Sequence, residues 1–233
     1  MSIGAAELGK LVRPGSWLAD VPATCLQQLA PLGQVRSYAR GKTVFQKGDA
    51  GDFMAVILSG RLKISSFSVA GAETVHNLLQ AGDALGEIAV LDGLERTADA
   101  VAIDACEMLV FPRAAVMRRL QEDNALAMAL VRSFCGKLRA ASDAMDSMTL
   151  DMGRRVAAAL LRLAEQNVAD ENADGEYRIA IDQTTLARYA GITRSNLNRV
   201  LKKFESAGAS MHEKGVLTIM DIDWLRDFAE SED

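Results

Sequence analysis

The sequence predicts an α+β chain in three blocks: an N-terminal antiparallel β-barrel or jelly roll, one long helix, and a C-terminal winged helix-turn-helix. Three observations lead to this architecture. Short apolar runs separated by glycines fill the first half, an apolar heptad pattern occupies the middle, and a helical pair broken by a glycine lies near the end. A chain of 233 residues is long enough for two small domains. The three blocks place the boundaries at residues 1–123, 124–150 and 151–233.

Composition excludes several classes of protein. Hydrophobic residues make up 49% and charged residues 24% of the chain, which is typical of a globular protein. We expect no signal peptide, and no apolar stretch reaches the length of about 18 residues that a transmembrane helix needs. Cys25, Cys106 and Cys135 are widely spaced and odd in number, which argues against a disulfide framework, a zinc site or an iron–sulfur cluster. We therefore expect a protein of the reducing cytoplasm.

The first block, from about residue 29 to residue 113, has the pattern of a β-structure. Apolar runs such as 43–45, 53–58 and 62–64 are three to six residues long, and glycine or aspartate stands at each break. Glycine and aspartate favour tight turns between strands. About eight such strands in sequence predict a small antiparallel barrel or jelly roll.

The second block predicts a long helix with an apolar seam. Its spacings alternate between four and three residues over more than three heptads, which is typical of a dimeric coiled coil. The alternative is one long helix that packs only on its own domain. The apolar stripe of such a helix is usually wider than the one seen here. The seam positions are Ala127, Val131, Phe134, Leu138, Ala141, Met145, Met148 and Met152.

The third block combines helices with short strands. We predict an amphipathic helix over residues 156–167, a polar loop over 169–176 and a strand over 177–181. A helical pair over residues 182–190 and 193–206, a strand over 216–220 and a final helix from Asp223 complete the chain.

The helical pair has the spacing of a helix-turn-helix. With Gln183 as position 1, the small residue Ala187 falls at position 5, where the helices cross, and Gly191 is the turn glycine at position 9. Thr193 is placed to cap the second helix. The apolar positions 10, 15 and 18 are Ile192, Leu197 and Val200.

The outward face of the second helix carries groups suited to DNA. Hydrogen-bonding and basic side chains can contact base edges and phosphates. Residues 188–203 hold five basic and no acidic residues, although the whole chain has a net charge of −5. An ordinary helical hairpin with a solvated basic face is the alternative. With the cap included, the predicted DNA-binding residues are Thr193, Arg194, Ser195, Asn198, Arg199 and Lys202.

A second constellation predicts an anion site in the first block. Gly86 lets backbone N–H groups approach an anion closely. Glu87 is able to accept hydrogen bonds from a ribose hydroxyl. Arg96, nine residues later, supplies a guanidinium for a phosphate, with Thr97 beside it. The alternative is an internal ion pair between Glu87 and Arg96 that closes a barrel turn.

Together these features resemble the Crp/Fnr family of bacterial transcription regulators, from about residue 29 to residue 220. The segments Gly86-Glu87-Ile88 and Arg96-Thr97-Ala98 resemble the cyclic-nucleotide phosphate-binding cassette of that family. The resemblance implies a cyclic-nucleotide-binding site made by Gly86, Glu87, Ile88, Arg96 and Thr97. Glu87 would contact the ribose 2′-hydroxyl, and Arg96 with Thr97 would contact the cyclic phosphate.

The resemblance leaves the base open. In cyclic-AMP-dependent members two adjacent Thr or Ser residues of the long helix contact adenine, whereas this chain has Ala141-Ser142 and keeps one hydroxyl, that of Ser142. In related domains a hydroxyl after the arginine, here Thr97, holds the amino group of guanine. Cyclic AMP is our first choice of ligand, with cyclic GMP, or both, close behind.

The implied function is a homodimeric regulator that binds palindromic double-stranded DNA under allosteric control by a cyclic nucleotide. RNA polymerase is the further partner that the family implies, and no membrane, metal, haem or iron–sulfur cluster is expected. His76 lies in an alternating strand pattern, which favours a structural histidine over a haem ligand. A ligand-independent or differently gated regulator is the alternative. A nucleotide hydrolase is remote, because no nucleophile–histidine arrangement is present.

Overall fold

The computed structural model describes residues 4–12, 16–165, 170–172 and 175–231. The chain divides into two compact units. The first comprises Met1–Phe67 and His76–Leu138, and the second comprises Ser68–Val75 and Arg139–Asp233. The division falls within the long helix, and each unit is described by itself below.

The first unit is built on two four-stranded sheets, with strand orders β1-β8-β3-β6 and β2-β7-β4-β5. Every pairing that the described residues give within these sheets is antiparallel. The predicted jelly-roll-like architecture is therefore confirmed. The strands are β1 (Gln34–Tyr38), β2 (Thr43–Phe45), β3 (Phe53–Ser59), β4 (Arg61–Phe67), β5 (Glu73–Gln80), β6 (Ala84–Leu85), β7 (Asp99–Ala102) and β8 (Cys106–Pro112).

Helices cover one face of the first sheet. The four described helices that precede the long helix were not predicted, because each has at most ten residues and too few turns for a periodic signal. Two 3₁₀ turns, Trp17–Asp20 and Ala30–Leu32, accompany them. The helices are α1 (Ala5–Gly9), α2 (Ala23–Leu29), α3 (Glu87–Asp92), α4 (Arg113–Glu122) and α5 (Asn124–Ser147).

Strand β3 is buried on both of its faces, and this explains why its sequence is a continuous apolar run rather than an alternating one. Met54 and Val56 are buried in the cluster formed with the helices, whereas Ala55 and Ile57 are buried in the cluster between the two sheets. Because successive side chains of a strand point to opposite faces, a strand covered on both faces must be apolar at every position.

Helix α5 presents two different faces. Leu126 and Leu130 are buried in the core of the first unit, and Phe134 packs partly against it. On another face Val131 and Leu138 are exposed. The heptad pattern therefore predicts the helix, but its seam position at Phe134 lies partly on the side of the helix that its own unit covers.

The long helix ends earlier than the heptad pattern predicts. The expected seam runs to Met152, whereas α5 ends at Ser147 and Met152 begins α6. Residues 148–150 form a turn with bonds of the 3₁₀ type, such as the one from the Met148 N–H to the Met145 carbonyl. Asp151 then accepts a hydrogen bond from the Gly153 N–H at 2.7 Å and so starts the new helix.

The second unit is a winged helix-turn-helix with a four-stranded sheet of order β11-β12-β10-β9. The predicted pair of helices and the two strand-like runs are confirmed. The predicted loop at 169–176 contains the short strand β9, and residues 166–169 and 173–174 lie outside the described residues. The elements are α6 (Met152–Glu165), β9 (Asp170–Glu171), β10 (Tyr177–Ala180), α7 (Gln183–Tyr189), α8 (Arg194–Ser206), β11 (Ser210–Glu213), β12 (Val216–Ile219) and α9 (Ile222–Glu230).

The turn between α7 and α8 depends on Gly191. Its φ of +66° is left-handed, and its carbonyl accepts a hydrogen bond from Arg155 Nη2 of α6 at 2.9 Å. Thr193 caps α8 through the N–H of Asn196, as predicted, and Asp182 caps α7 through the N–H groups of two threonines. These contacts fix how the two helices meet.

The substitution Gly191→Ala is expected to destabilise the second unit by about 2 kcal/mol. About half of this cost comes from the left-handed backbone. The rest comes from Arg155, because a Cβ at position 191 would lie 2.7 Å from Arg155 Nη2 and would displace its hydrogen bond. Native-state hydrogen exchange of the α8 amides measures the change.

Gly208→Ala is the matched control for this prediction. Gly208 has a φ of +74°, but no atom lies within 4 Å of the Cβ that alanine would add. The control should therefore cost only the backbone strain, about 1 kcal/mol. Equal losses for the two variants would show that the Arg155 contact does not support the turn.

Candidate functional site

Gly86 and Arg96, two of the predicted nucleotide-site residues, meet directly after β6. Gly86 has a left-handed φ of +80° and stands immediately before α3, whose first residue is Glu87. A Cβ at Gly86 would lie 2.6 Å from Arg96 Nη1 and 3.1 Å from the Phe53 carbonyl oxygen. Only glycine therefore allows the guanidinium of Arg96 to approach this loop.

Arg96 is buried, with 3% of its surface exposed. Its Nη1 donates to the Gly86 carbonyl and its Nη2 to the Phe53 carbonyl, each at 2.7 Å. The guanidinium carbon also lies 4.3 Å from the ring centre of Phe45 and 4.6 Å from that of Phe53. The side chain is thus held in one orientation, while its buried Nε has no hydrogen-bond partner among the described residues.

The charge of Arg96 interacts with several carboxylates, and its ion pair with Asp52 is a long one. Burial lowers the pKa of Arg96, whereas Asp52, Asp49 and Glu87 raise it. The nearest carboxylate oxygen in an ion pair is that of Asp52, 3.7 Å from Nη2. Since an arginine keeps its proton in a protein, the site holds a fixed positive charge inside the barrel.

Glu87 is the second buried charge, with 5% of its surface exposed. Its Oε1 lies 2.5 Å from Lys137 Nζ of α5, and the same ammonium donates to the Ala84 carbonyl at 3.3 Å. The structure therefore does not contain the alternative, an internal ion pair between Glu87 and Arg96. Glu87 pairs with Lys137 instead.

Sequence reasoning missed Lys137. Its signal was present, because Lys137 continues the stripe of α5 that faces its own unit through Leu126, Leu130 and Phe134. A cation that follows an apolar stripe at helical spacing predicts a buried anionic partner. The identity of that partner could not be read from the sequence, since Glu87 is 50 residues away.

The remaining predicted nucleotide-site residues are exposed. Ile88 lies on α3 and is 42% exposed, and Thr97 is exposed between the buried residues Arg96 and Ala98. Ser142 is exposed on the part of α5 that belongs to the second unit. The structure therefore brings Gly86, Glu87 and Arg96 together, and the ligand-binding roles of all six predicted residues stay predictions.

Helix α8 presents the predicted polar face. Its opposite face is buried through Leu197, Val200, Leu201 and Phe204. Asn198 is half-buried and lines a groove of about 310 Å³ with Gln183, Leu201, Lys202, Glu205 and His212. The other predicted DNA-binding residues are all exposed: Thr193, Arg194, Ser195, Arg199 and Lys202.

Two domain families match the chain in the order that the fold shows. Residues 35–123 match the cyclic nucleotide-binding domain, and residues 154–228 match the Crp-like helix-turn-helix domain. The chain belongs to the Crp/Fnr family. It is therefore a DNA-binding transcription regulator with a cyclic nucleotide-binding domain, and its family consists of regulators, not enzymes.

Relatives of this Crp/Fnr regulator carry different names. It is 29% identical over 197 residues to the "Cyclic AMP receptor protein" of Thermus thermophilus, covering 84% of this chain and 88% of that protein. It is 27% identical over 199 residues to the "Global nitrogen regulator" of Nostoc, covering 83% and 89%. The solved structure of FixK2 from Bradyrhizobium japonicum has a TM-score of 0.76 at 17% identity, covering 86% of this chain and 99% of that one, which supports the fold alone.

Other sites considered for this regulator have simpler explanations. His76 on β5 is exposed, and its Nε2 lies 2.7 Å from Ser66 Oγ on β4, as expected of a structural strand histidine. Within the described ranges, no group of three or more His, Cys, Asp or Glu side chains could hold a metal ion. None of the helices in those ranges is long and apolar enough to cross a membrane.

Proposed function

We propose that this Crp/Fnr regulator is a homodimer whose DNA binding is controlled by a cyclic purine nucleotide, cyclic AMP first, with cyclic GMP or both close behind. The observation that carries the proposal is the pair of buried charges beside Gly86: Glu87 follows this glycine in the chain, and Arg96 donates a hydrogen bond to its carbonyl. Removing two ionic groups from water costs several kcal/mol. An anionic ligand with hydroxyl groups explains why the barrel keeps both.

The cyclic phosphate is assigned to Arg96. Its two Nη groups already donate to carbonyls, which fixes the plane of the guanidinium before any ligand arrives. Its buried Nε remains a donor without a partner in the described part of the chain, which is the group that a phosphate oxygen would satisfy. Thr97, next to Arg96 and exposed, would supply the further hydroxyl.

The ribose is assigned to Glu87. A carboxylate accepts hydrogen bonds from hydroxyl groups, and Lys137 holds this carboxylate in position by pairing with it at 2.5 Å. A ribose hydroxyl would share or replace that contact. The nucleotide would then alter the environment of Lys137, which lies on the helix beside the exposed seam residue Leu138.

The base is assigned through Ser142 and Thr97. The Thermus relative is named for cyclic AMP, which supports adenine as the first choice. This chain keeps only one of the two adjacent hydroxyls that contact adenine in such members, and the hydroxyl of Thr97 suits the amino group of guanine. Both nucleotides therefore belong in every binding test.

Glu87→Gln is expected to weaken binding of the preferred cyclic nucleotide by about 10- to 100-fold. Glutamine has nearly the same shape but lacks the charge that strengthens the hydrogen bond to a hydroxyl. Arg96 is the poorer position to substitute, because its loss would also leave two carbonyls without donors. Isothermal titration calorimetry with cyclic AMP and cyclic GMP measures the change.

Glu95→Gln is the control for this experiment, because Glu95 is an exposed glutamate one residue before Arg96. It should change the affinity by less than twofold. Wild-type protein that binds neither nucleotide would refute the proposed gating, and Glu87→Gln protein with native affinity would refute the assignment of the ribose.

The dimer is assigned to the exposed apolar face of α5. Val131 and Leu138 are seven residues apart, and Leu138 is 71% exposed. Met145, a further seven residues on, is 69% exposed. Large side chains repeated at this spacing along one helix are unfavourable in water and favour pairing with a second copy.

Leu138→Glu is expected to convert the dimer to monomer at micromolar concentration. The substitution would place two like charges opposite each other within an apolar interface. Arg139→Glu introduces the same side chain at the next, also exposed, position and should leave the dimer intact. Sedimentation velocity with and without nucleotide measures the oligomeric state. A monomeric wild type in the presence of nucleotide would contradict the assignment.

DNA recognition is assigned to α8. Arg194 and Arg199 are five residues apart and exposed, and each guanidinium can pair with O6 and N7 of guanine. Ser195 is short and uncharged, so discrimination at its base pair should be relaxed, while Asn198 suits adenine. Two such helices about 34 Å apart would match successive major grooves of a palindrome. RNA polymerase would be the next partner of the complex.

Arg199→Ala and Lys202→Ala are expected to act differently on DNA binding. Arg199→Ala should cost about 1 to 3 kcal/mol and relax the preference at one base pair of each half-site. Lys202→Ala should weaken all sequences similarly and lower the salt dependence by about one counterion. Selection on randomised palindromes with nucleotide present, followed by salt titration, separates the two effects. A motif without guanine or without two-fold symmetry would contradict the proposal.

A second candidate is a regulator of this family that another signal controls or that needs none. The specific observation in its favour is that both charged groups already have protein partners, Lys137 for Glu87 and two carbonyls for Arg96. The Nostoc relative, named a global nitrogen regulator, points the same way. A thermal-shift screen decides: stabilisation by a cyclic nucleotide supports the first proposal, and none supports the second.

A further inference from the structure

We propose that His212 of the wing is a positioning residue for Arg194 and acts through Gln183. The inference rests on the proposed reading of DNA by α8, and it adds a residue to that function which does not itself touch a base. Three separate elements meet at this point: the first residue of α7, the first residue of α8 and strand β11.

The side chain of Gln183 joins the other two. Its Oε1 accepts a hydrogen bond from Arg194 Nε, and its Nε2 faces His212 Nδ1, both at 3.4 Å. The start of α7 is itself fixed, because Asp182 accepts hydrogen bonds from the N–H groups of Thr184 and Thr185 at 2.9 Å. Gln183 is therefore held at its backbone by the cap and at its amide by two neighbours.

The direction of the hydrogen bonds follows from the chemistry of the three groups. Arg194 Nε can only donate, so the amide oxygen of Gln183 must face it. The amide NH₂ then faces His212, whose Nδ1 must accept and whose proton must be on Nε2. That Nε2 is buried and has no hydrogen-bond partner in the described part of the chain, so the contact with Gln183 is the one hydrogen bond that the ring makes there.

The consequence for Arg194 is a loss of freedom before DNA binds. Arg194 is exposed, and within the described residues only Gln183 hydrogen-bonds to its side chain. The bond to Nε leaves both Nη groups available for the two acceptors of one guanine. A long side chain that is oriented in advance loses less entropy on binding, so its preference for the correct base is stronger.

The burial of His212 Nε2 also separates this role from a phosphate contact. A wing residue that bound phosphate would strengthen binding to every sequence and would raise the salt dependence. A positioning residue changes the preference at one base pair only. The two roles therefore predict different results in the same assay.

The test compares four variants by selection on randomised palindromes and by salt titration. His212→Gln moves the side-chain acceptor away from the position of Nδ1, and Gln183→Met removes both polar atoms. Each should reduce the guanine preference at the base pair of Arg194 by three- to tenfold, with the preference at the base pair of Arg199 unchanged. His212→Asn keeps an acceptor near the position of Nδ1 and should restore the preference. Glu213→Gln, the neighbouring wing residue, is the control.

Arg194→Ala identifies the relevant base pair and tests the proposed reading separately. If Arg194→Ala alters no base preference, the proposed role of α8 at that position fails. If it removes the guanine preference while His212→Gln and Gln183→Met retain it, only the positioning role of His212 fails. A uniform loss of affinity for all sequences with a smaller salt dependence would also overturn that role, because it would indicate a phosphate contact.

Discussion

The guanidinium of Arg96 lies inside the barrel against two phenylalanine rings, with its Nη groups bonded to two backbone carbonyls. Several features of the first unit follow from this placement. Residue 86 must be glycine, because any Cβ would meet Nη1 at 2.6 Å. The carbonyl of Phe53 ties β3 to the same group. A buried cation is stabilised by negative charge nearby. Asp52 Oδ1 lies 3.7 Å from Nη2, and while burial lowers the pKa of Arg96, the charges of Asp52, Asp49 and Glu87 oppose that shift.

Helix α5 connects this site to the proposed dimer surface, since adjacent residues serve the two. Lys137 pairs with Glu87, while Leu138 is exposed in the seam. In the proposed function, a nucleotide that changes the partner of Lys137 would act on α5, the same helix that would form the dimer interface. Allosteric control requires a ligand that binds two states with different affinity. The contact that would differ between the free and the nucleotide-bound state is that of Glu87, which would pair with Lys137 in the first and with a ribose hydroxyl in the second.

The sequence predicts the parts of this fold that depend on local chemistry. Turn glycines and apolar runs predict the strands, and the cap at Thr193 predicts the start of α8, because each signal lies within a few residues. The end of α5 was missed, since the heptad spacing continues unchanged through the turn at 148–150 and on to Met152. Asp151, which starts α6, was the local signal that the periodicity obscured.

In the candidate sites, too, only the residues that lie close together in the sequence could be predicted. Gly86, Glu87 and Arg96 could be grouped because a spacing of ten residues joins them, and the structure brings them together. Their partners could not, since Lys137 is 50 residues from Glu87 and the Phe53 carbonyl is 43 residues from Arg96. Contacts over such distances are set by how the strands and helices pack. The contact of Gln183 with His212, 29 residues away, is of the same kind.

In the proposed function, a cyclic nucleotide controls the affinity of this regulator for DNA. The most direct test is a fluorescence anisotropy titration of a labelled palindromic duplex with the wild-type protein, at one salt concentration, without nucleotide and with saturating cyclic AMP or cyclic GMP. We expect at least one nucleotide to tighten binding by tenfold or more, which corresponds to a coupling free energy of about 1.4 kcal/mol or more. Equal affinity in all three titrations would contradict it.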